Sequence, residues 1–314
     1  KTTVLINRIA NLIAFGEGSD SQEVPDYVTE EDLTYLETYL KTQDPAMQLQ
    51  AERLCALRPA APWSILAITF TNKAANELKD RLEKMLGEEA RDVWAATFHS
   101  ACVRILRRDI DKIGFDRSFT IYDTDDSKRV IKDILKEMGL EEKTFPVREV
   151  LSVISNAKDA MMMPEEFSQL WEQRGDWRRV RMGRVYAAYN RRLRDANALD
   201  FDDIILKTVE LLETFEDVRT YYQQKFHYVM IDEYQDSNEV QETLLRSISR
   251  EERGENNIFM VGDVKQSIYR FRLARPELFM EKFNTYSLTD GGNRRIDLHK
   301  NFRSRAEVLD AVNF

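Results

Sequence analysis

In the segment Tyr228-Val229-Met230-Ile231-Asp232-Glu233-Tyr234-Gln235-Asp236, an apolar run ends abruptly in two adjacent carboxylates. A short, continuously apolar run is typical of a strand that is buried in a parallel sheet. Ligands of such sheets bind at the carboxyl ends of the strands, so Asp232 and Glu233 are predicted to face a ligand. One carboxylate suits Mg²⁺ and the next suits proton transfer from an attacking water, as in a metal–nucleotide site. The alternative is a strand end with two solvated acids.

The composition places the chain among ordinary globular proteins. It has 314 residues, 43% of them hydrophobic and 32% charged, which is enough for a sizeable core and two domains. No apolar run approaches a membrane span and no signal peptide opens the sequence, so no membrane partner is expected. Two cysteines, Cys55 and Cys102, without Cys/His ligand spacing, argue against zinc and favour a reducing compartment.

The first residues, Lys1-Thr2-Thr3, precede apolar residues at helical spacing. A Lys-Thr pair at a helix start is the tail of a phosphate-binding loop, in which Lys reaches the β/γ-phosphates and the hydroxyl binds Mg²⁺. The glycine-rich turn of the full motif is absent from this sequence. Lys1-Thr2-Thr3 is therefore evidence for a phosphate site only in combination with the acid pair.

Residues 16–60 form a separate acidic segment, with ten acids against three bases. Thr29 and Asp32 have the spacing of a capping box, and Leu33, Leu36 and Leu40 share one helical face. The pattern predicts a surface insertion of one or two helices, with no predicted role.

Two predicted strand-to-helix junctions carry rings and small polar groups. The first runs from the apolar stretch at 63–70 into Thr71-Asn72-Lys73, and the second is Thr97-Phe98-His99-Ser100. Rings and hydroxyls at one sheet edge suit a single nucleic-acid strand. The alternative places Phe70 and Phe98 in the core.

Residues 123–197 change character, because periodic helices dominate. Within them, residues 171–196 contain eight arginines against three acids, interleaved with two tryptophans and two tyrosines. This pattern fits an electrostatic footprint for DNA, and a solvated helix face with ion pairs is the alternative. We interpret the segment as a helical subdomain inserted into an α/β domain.

A further strand is predicted at 257–261, and Gln266 follows it as a candidate sensor of a terminal phosphate. Tyr269, Phe271 and Arg272 add rings and charge suited to stacking. Arg303 is positioned to meet charge that develops on a transferred phosphoryl group, with solvation of a helix start as the alternative.

Together these segments resemble superfamily 1 DNA helicases of the UvrD/Rep/PcrA group. The motifs that carry the resemblance are, in order, Lys1-Thr2-Thr3, Ile68 to Ala75, Thr97 to Ser100, Leu199 to Asp203, Ile231 to Asp236, Val261 to Arg272 and Asn301-Phe302-Arg303-Ser304. The closing third also resembles the helicase part of the AddA/RecB recombination nucleases. The resemblance implies a P-loop NTPase (RecA-like) α/β fold, whose parallel sheet is flanked by helices and carries an inserted all-α subdomain.

The resemblance also implies ATP and Mg²⁺ as cofactors. Lys1 would contact the β/γ-phosphates, while Thr2 and Asp232 would hold Mg²⁺. Glu233 would activate water, and Gln266 would contact the γ-phosphate.

The remaining implied residues extend the nucleotide site and a DNA site. Thr3 joins the nucleotide contacts, Phe302 occupies the adenine-stacking position and Arg303 that of an arginine finger. The implied DNA-binding residues are Phe70, Thr71, Asn72, Thr97, His99, Tyr269, Phe271 and Arg272.

The expected organisation follows from the same resemblance. Residues 1–122 and 201–297 would build the first motor domain, 123–200 the inserted helical subdomain, and 298–314 the start of a second motor domain. The expected activity is ATP-dependent 3′-to-5′ movement on single-stranded DNA and at single/double-strand junctions. The setting would be repair or recombination with partner proteins, in a bacterial cytoplasm at the nucleoid.

Two alternatives to this activity remain open. The chain could be a catalytically silent DNA-binding or scaffold subunit, or the motor of an AddA-type helicase-nuclease. Without the glycine turn and a second motor domain, this chain alone is expected to hydrolyse ATP poorly and not to unwind DNA.

Overall fold

The structure is a computed structural model that describes residues 1–19, 21–266, 274–289 and 291–298. Its helices are α1 (Thr2–Ala14), α2 (Glu30–Thr42), α3 (Pro45–Leu54), α4 (Asn72–Leu86), α5 (Phe98–Asp109), α6 (Thr124–Glu137), α7 (Val147–Asp159), α8 (Pro164–Gln173), α9 (Trp177–Asp195), α10 (Phe201–Thr214), α11 (Glu216–Lys225), α12 (Glu239–Ile248) and α13 (Pro276–Thr285). Its strands are β1 (Ile65–Thr69), β2 (Trp94–Thr97), β3 (Thr120–Ile121), β4 (Ala198–Leu199), β5 (Tyr228–Ile231) and β6 (Ile258–Met260). None of the helices in these ranges is long and apolar enough to cross a bilayer.

Four parallel strands form the central sheet in the order β2-β1-β5-β6. In register, Ile68 of β1 lies opposite Ile231 of β5, and Ile231 lies opposite Met260 of β6. The carboxyl ends of all four strands therefore meet at one edge. The predicted α/β fold class with a parallel sheet is confirmed.

The sheet is buried on both faces because successive side chains of a strand point to opposite sides. In β1, Ile65 and Ala67 join a core with α1 and α4. Leu66 and Ile68 join the core on the other face, formed with α5, α10 and α12. This explains why β1 is apolar throughout rather than alternating. The predicted strand from residue 63 begins two residues later, because Pro62 starts a short 3₁₀ turn.

A third core lies within helices α6 to α9. Buried side chains from all four helices, including Ile134, Ile154, Phe167 and Val185, pack into one cluster. The buried Tyr189 hydroxyl donates a 3.0 Å hydrogen bond to Ser127, which ties α9 to α6. This helical body has its own apolar interior, separate from the two sheet cores.

A buried lysine joins the helical body to the sheet body. Lys158 of α7 is 1% exposed, and its ammonium lies 2.7 Å from Asp200 and 2.8 Å from Asp203. Both acids are at the start of α10, where Asp200 also caps the helix by accepting from the Asp203 N–H at 2.8 Å. Buried charges are tolerated when they are paired in this way, and separating them is costly.

The acidic insertion, residues 16–60, contains α2 and α3. The predicted capping box is present, since Thr29 accepts from the Asp32 N–H and its own N–H donates to the Asp32 carboxylate at 2.9 Å. The two ends of the insertion meet through a backbone hydrogen bond of 2.8 Å from Glu17 to Leu57. Gly16 has φ +59°, and a Cβ there would lie 2.3 Å from the Arg58 carbonyl oxygen, so this junction requires glycine.

Candidate nucleotide site and nucleic-acid face

The acid pair lies at the carboxyl end of β5, as its sequence predicts. The Asp232 N–H donates to the Ile68 carbonyl at 3.0 Å, which continues the sheet, and Asp232 is only 3% exposed. Glu233 then turns into the left-handed region with φ 53° and donates its N–H to Asp232 Oδ1 at 3.1 Å. A non-glycine residue in this region is uncommon and often occurs where function fixes the backbone.

The start of α1 meets this pair from the far end of the chain. The Lys1 ammonium forms an ion pair with Glu233 Oε2, and the Thr2 hydroxyl donates to Asp232 Oδ2 at 2.7 Å. Thr3, by contrast, is exposed and accepts from Arg81 of α4 at 3.2 Å, so the described contacts do not bring it to the acids. The structure thus places an ammonium, a hydroxyl and two carboxylates together.

Burial raises the pKa of Asp232 above its ordinary value, and the neighbouring charge of Glu233 raises it further, while the Thr2 hydrogen bond lowers it. A cation beside this carboxylate would favour its charged form. Hydroxyl and carboxylate oxygens are the ligands that Mg²⁺ prefers. In the described residues no group of three or more acids, histidines or cysteines is placed to hold a metal ion. The two oxygens therefore fit an ion that completes its shell with water and phosphate.

A hydrogen-bond relay connects Glu233 with the segment after β6. The buried Gln235 donates to Glu233 Oε2 at 2.7 Å and accepts from the Asp263 N–H at 2.9 Å. Gln266 donates to Asp263 Oδ2 at 2.9 Å. Gln266 thus reaches the acid pair through Asp263 and Gln235. A Cβ on Gly262 would lie 2.9 Å from Gln235 Oε1, so glycine keeps this approach open.

The two strand-to-helix junctions form a neighbouring face at the same sheet edge. Thr71 and Thr97 cap α4 and α5, accepting N–H groups at 3.1 and 3.2 Å, and Asn72 is exposed at the start of α4. The half-buried Phe70 ring packs edge-on against Phe98 at 5.4 Å between centroids, and Phe98 is a core residue, 2% exposed. The core interpretation therefore holds for Phe98, and Phe70 packs half-buried against the same core.

His99 lies on this face against a ring that is not among the predicted DNA contacts. Its imidazole stacks on Phe201 at 3.7 Å between centroids, and Phe201 is 58% exposed. Burial lowers the pKa of His99 to about 4, so this imidazole is neutral at pH 7. The sequence signal for Phe201 was an apolar ring among acids in the first turn of α10. A residue at such a position is expected to face solvent.

A polar cavity of about 550 Å³ continues this face along β2. Asn72, Thr97 and Ser100 line one part of it, and Lys79 and Arg104 contribute positive charge. The Arg104 guanidinium lies over the ring of Trp94, the first residue of β2, at 3.7 Å. The cavity thus runs from Thr97, at the carboxyl end of β2, to Trp94 at its amino end, and its lining is polar, cationic and partly aromatic.

Comparison with known proteins extends these observations. A family described as the UvrD/REP helicase N-terminal domain matches residues 49–287. The chain belongs to the UvrD/REP helicase N-terminal domain family. It is 45% identical over 260 residues to the ATP-dependent DNA helicase PcrA of Bacillus subtilis (strain 168), a match that covers 83% of this chain and 34% of that protein. PcrA of Staphylococcus aureus (strain NCTC 8325 / PS 47) is 41% identical over 256 residues, covering 82% of this chain and 34% of the relative. The chain spans about a third of the length of these relatives, and the predicted resemblance to the UvrD/Rep/PcrA group is confirmed.

In this UvrD/REP family chain, α9 contains ion-paired arginines as well as arginines that are open to solvent. Arg178 pairs with Glu149 at 2.6 Å, and Arg192 forms an ion pair with Glu137. Three others, Arg181, Arg184 and Arg191, are exposed and make no ion pair with another described residue. The helix therefore carries both ion-paired arginines and open arginines.

Several residues implied by the UvrD/Rep/PcrA resemblance lie outside the described residues. They are Tyr269, Phe271, Arg272, Phe302 and Arg303. Gln235, Asp263 and Phe201 are the additions that the structure makes to the predicted set.

Proposed function

We propose that this chain is the N-terminal motor portion of an ATP-dependent DNA helicase that moves 3′ to 5′ along single-stranded DNA in repair or recombination. The observation that carries the proposal is the convergence of Lys1 and Thr2 on Glu233 and Asp232. These residues come from opposite parts of the chain and suit a triphosphate with its metal ion. PcrA relatives at 41–45% identity support the same activity.

In this proposal ATP supplies the phosphoanhydride whose hydrolysis drives movement, and Mg²⁺ neutralises its phosphate charge. Lys1 binds the β/γ-phosphates, which replace Glu233 as the anionic partner of its ammonium. Thr2 and Asp232 hold the metal ion, and by resemblance Thr3 joins the nucleotide contacts. Glu233 accepts the proton of the attacking water.

In this scheme Gln266 contacts the γ-phosphate. Hydrogen bonds through Asp263 and Gln235 couple that contact to the position of Glu233. Their hydrogen bonds of 2.9, 2.9 and 2.7 Å support such a connection. By resemblance, Arg303 supplies the arginine finger and Phe302 the adenine contact.

We propose that single-stranded DNA binds across the junctions after β1 and β2. Phe70 and the His99–Phe201 stack provide rings for bases, and Thr71, Asn72 and Thr97 provide polar contacts to the backbone. By resemblance Tyr269, Phe271 and Arg272 extend this face. The open arginines of α9 suit the phosphates of a single/double-strand junction.

The same proposal includes the domain boundaries. Residues 1–122 and 201–297 are the first motor domain, with 16–60 as an insertion, and 123–200 are the inserted helical subdomain. The separate core of α6 to α9 supports the middle boundary. Of the proposed start of the second motor domain, 298–314, only Leu298 belongs to the described residues. A bacterial cytoplasmic location at the nucleoid, with repair or recombination partners, belongs to the proposal as well.

The test is single-strand-stimulated ATP hydrolysis by the protein that carries this chain and by the chain itself. Glu233→Gln is expected to lower kcat by at least about 100-fold while DNA binding persists, since general-base catalysis contributes on that order. Glu213→Gln, at an exposed acid of α10, is the matched control and is expected to leave kcat unchanged. Wild-type DNA binding without any ATP hydrolysis would instead favour a silent DNA-binding or scaffold subunit.

A further inference from the structure

Helix α2 of the acidic insertion has an apolar line that the described chain covers only in part. The helix buries none of its residues, and Leu33 and Leu40 are 49% and 70% exposed. Seven residues separate them, so they lie nearly in line along the helix, with Leu36 between them on the same face. We call Leu33 and Leu40 the leucine surface. Leucines at positions i, i+3 and i+7 of one helix face have the spacing of anchor residues in helix-mediated recognition.

The insertion is held firmly on the protein and away from the candidate nucleotide site. Backbone hydrogen bonds from Leu57 to Phe15 (3.0 Å) and from Ala60 to Leu12 (2.8 Å) fix its return to the sheet body. It leaves from the carboxyl end of α1, whereas the nucleotide site lies at the other end of that helix. A helix of 13 residues spans roughly 20 Å at 1.5 Å per residue, so the leucine surface is separate from the acid pair.

The surroundings of the leucine surface are negatively charged. Of the few bases in the insertion, Arg58 is paired with Glu17 and Glu23, and Lys41 lies 3.9 Å from Glu37. The acids at the start of α2, at positions 30 and 31, are exposed and have no ion pair within the described ranges. A net negative charge therefore remains around the two leucines.

The net negative charge around the leucine surface indicates which class of partner can bind there. Nucleic acid and anionic lipid are both repelled by it. The same surface of a second copy is repelled as well, because like charges would face each other. A positively charged helix with an apolar face satisfies both features, because its apolar side covers the leucines and its charges meet the acids. Leu33 and Leu40 lie outside residues 49–287, the segment that matches the UvrD/REP family.

We propose that the leucine surface docks a basic amphipathic helix of a partner protein. The proposal does not depend on ATP hydrolysis or DNA binding. It gives the acidic insertion a role as an attachment point on the motor domain.

The probe is a fluorescent synthetic peptide of about 18 residues, five helical turns, built from Leu and Lys at amphipathic spacing. Its binding to the 314-residue chain is measured by anisotropy, beside a Leu/Glu peptide of the same pattern and a scrambled Leu/Lys peptide. We expect the Leu/Lys peptide to bind more tightly than both. Leu33→Ser/Leu40→Ser is expected to raise its Kd by at least about tenfold, as for anchor residues of an interface.

The matched control is Leu288→Ser/Leu298→Ser, which removes leucines of similar exposure, 57% and 64%, elsewhere on the chain. It is expected to leave the Kd unchanged. Glu30→Lys/Glu31→Lys is expected to weaken the Leu/Lys peptide and strengthen the Leu/Glu peptide. All substituted positions are exposed, so thermal unfolding checks that each variant stays folded.

Equal binding to wild type and the Leu33→Ser/Leu40→Ser variant would overturn the proposal, as would binding of the scrambled peptide with the same Kd. Sedimentation equilibrium gives a second test. A dimer that Leu33→Ser/Leu40→Ser dissociates would show that another copy of the chain, and not a basic partner, covers the leucines.

Discussion

The Thr2 hydroxyl donates a 2.7 Å hydrogen bond to Asp232, although 230 positions of sequence separate the two residues. This contact joins the first turn of α1 to the end of β5. In the proposed function both oxygens serve one metal ion, and the hydrogen bond orders them before it binds. Substitutions of Thr2 therefore test the metal assignment directly.

Thr2→Val removes the hydroxyl at nearly constant volume and is expected to lower metal-dependent ATP hydrolysis by at least about tenfold. Thr2→Ser keeps the hydroxyl and is expected to retain most of the activity. Titration with Mg²⁺ separates a weaker metal affinity from a lower kcat. Similar losses in both variants would show that the methyl group, and not the hydroxyl, matters.

The same pair predicts a change with pH. Burial raises the pKa of Asp232 and the Thr2 hydrogen bond lowers it, so loss of that bond in Thr2→Val leaves the pKa higher still. Asp232 then keeps its proton to a higher pH. We expect the acidic limb of the kcat/KM profile to move to higher pH in Thr2→Val and to stay in place in Thr2→Ser. An unmoved limb in Thr2→Val would assign that limb to another group.

Asp159 at the end of α7 predicts a pH-dependent stability. It accepts a 3.2 Å hydrogen bond from Asn238, while burial and then the neighbouring Asp202 raise its pKa to about 7. Because the folded pKa lies above the unfolded one, the folded chain binds the extra proton, and stability falls as pH rises from about 4 to 7.

Asp159→Asn removes this ionisation and keeps an oxygen for Asn238. It is expected to raise the free energy of unfolding by about 1–2 kcal/mol at pH 8, after allowance for solvent screening, and by about a third of that at pH 5. Urea unfolding at the two pH values measures the difference. Asp195→Asn, at an exposed acid of α9, is the matched control. Equal gains at both pH values would contradict the titration of Asp159.

Phe201 tests the proposed DNA face. Phe201→Ala removes the exposed ring that stacks on His99 and is expected to weaken binding of an oligo-dT strand by about tenfold, the size of one base–ring stack. Its 58% exposure predicts little change in stability. Trp63→Ala removes a ring of 51% exposure before the amino end of β1, at the opposite sheet edge, and is expected to leave the affinity unchanged. If Trp63→Ala weakened binding equally, the face would be misplaced.

The open arginines of α9 predict how DNA affinity depends on salt concentration. The triple change of Arg181, Arg184 and Arg191 to Gln is expected to reduce the slope of log K against log salt for junction DNA by about 2 to 3. Arg178→Gln serves as the comparison, because Arg178 is already paired with Glu149. Anisotropy titrations at several salt concentrations give both slopes. An unchanged slope in the triple variant would remove α9 from the DNA site.

The strands and the acid pair were predictable because a buried parallel strand needs an apolar run, and the acids after Ile231 break that run. The capping-box spacing also predicted the helix that begins after Thr29. The left-handed φ of Glu233 was not predictable, since apolar periodicity carries no information on one backbone angle.

The division of the α9 arginines was equally beyond sequence patterns. The partners of Arg178 and Arg192 lie on other helices, 29 and 55 positions away, so local charge spacing could not separate paired from open arginines. Likewise, the spacing of Leu33, Leu36 and Leu40 predicted a helical face correctly but not that Leu33 and Leu40 would remain exposed. Both outcomes depend on tertiary packing, which periodicity does not report.

Lys158 limits how the two bodies of this protein can move. It belongs to the helices α6 to α9, whereas its two carboxylate partners start α10 on the sheet body. Sliding one body over the other would leave three charges unpaired in an apolar interior, so this cluster opposes relative movement of the two bodies. In the proposed function, a structural change at the acid pair would reach the arginines of α9 through this connection.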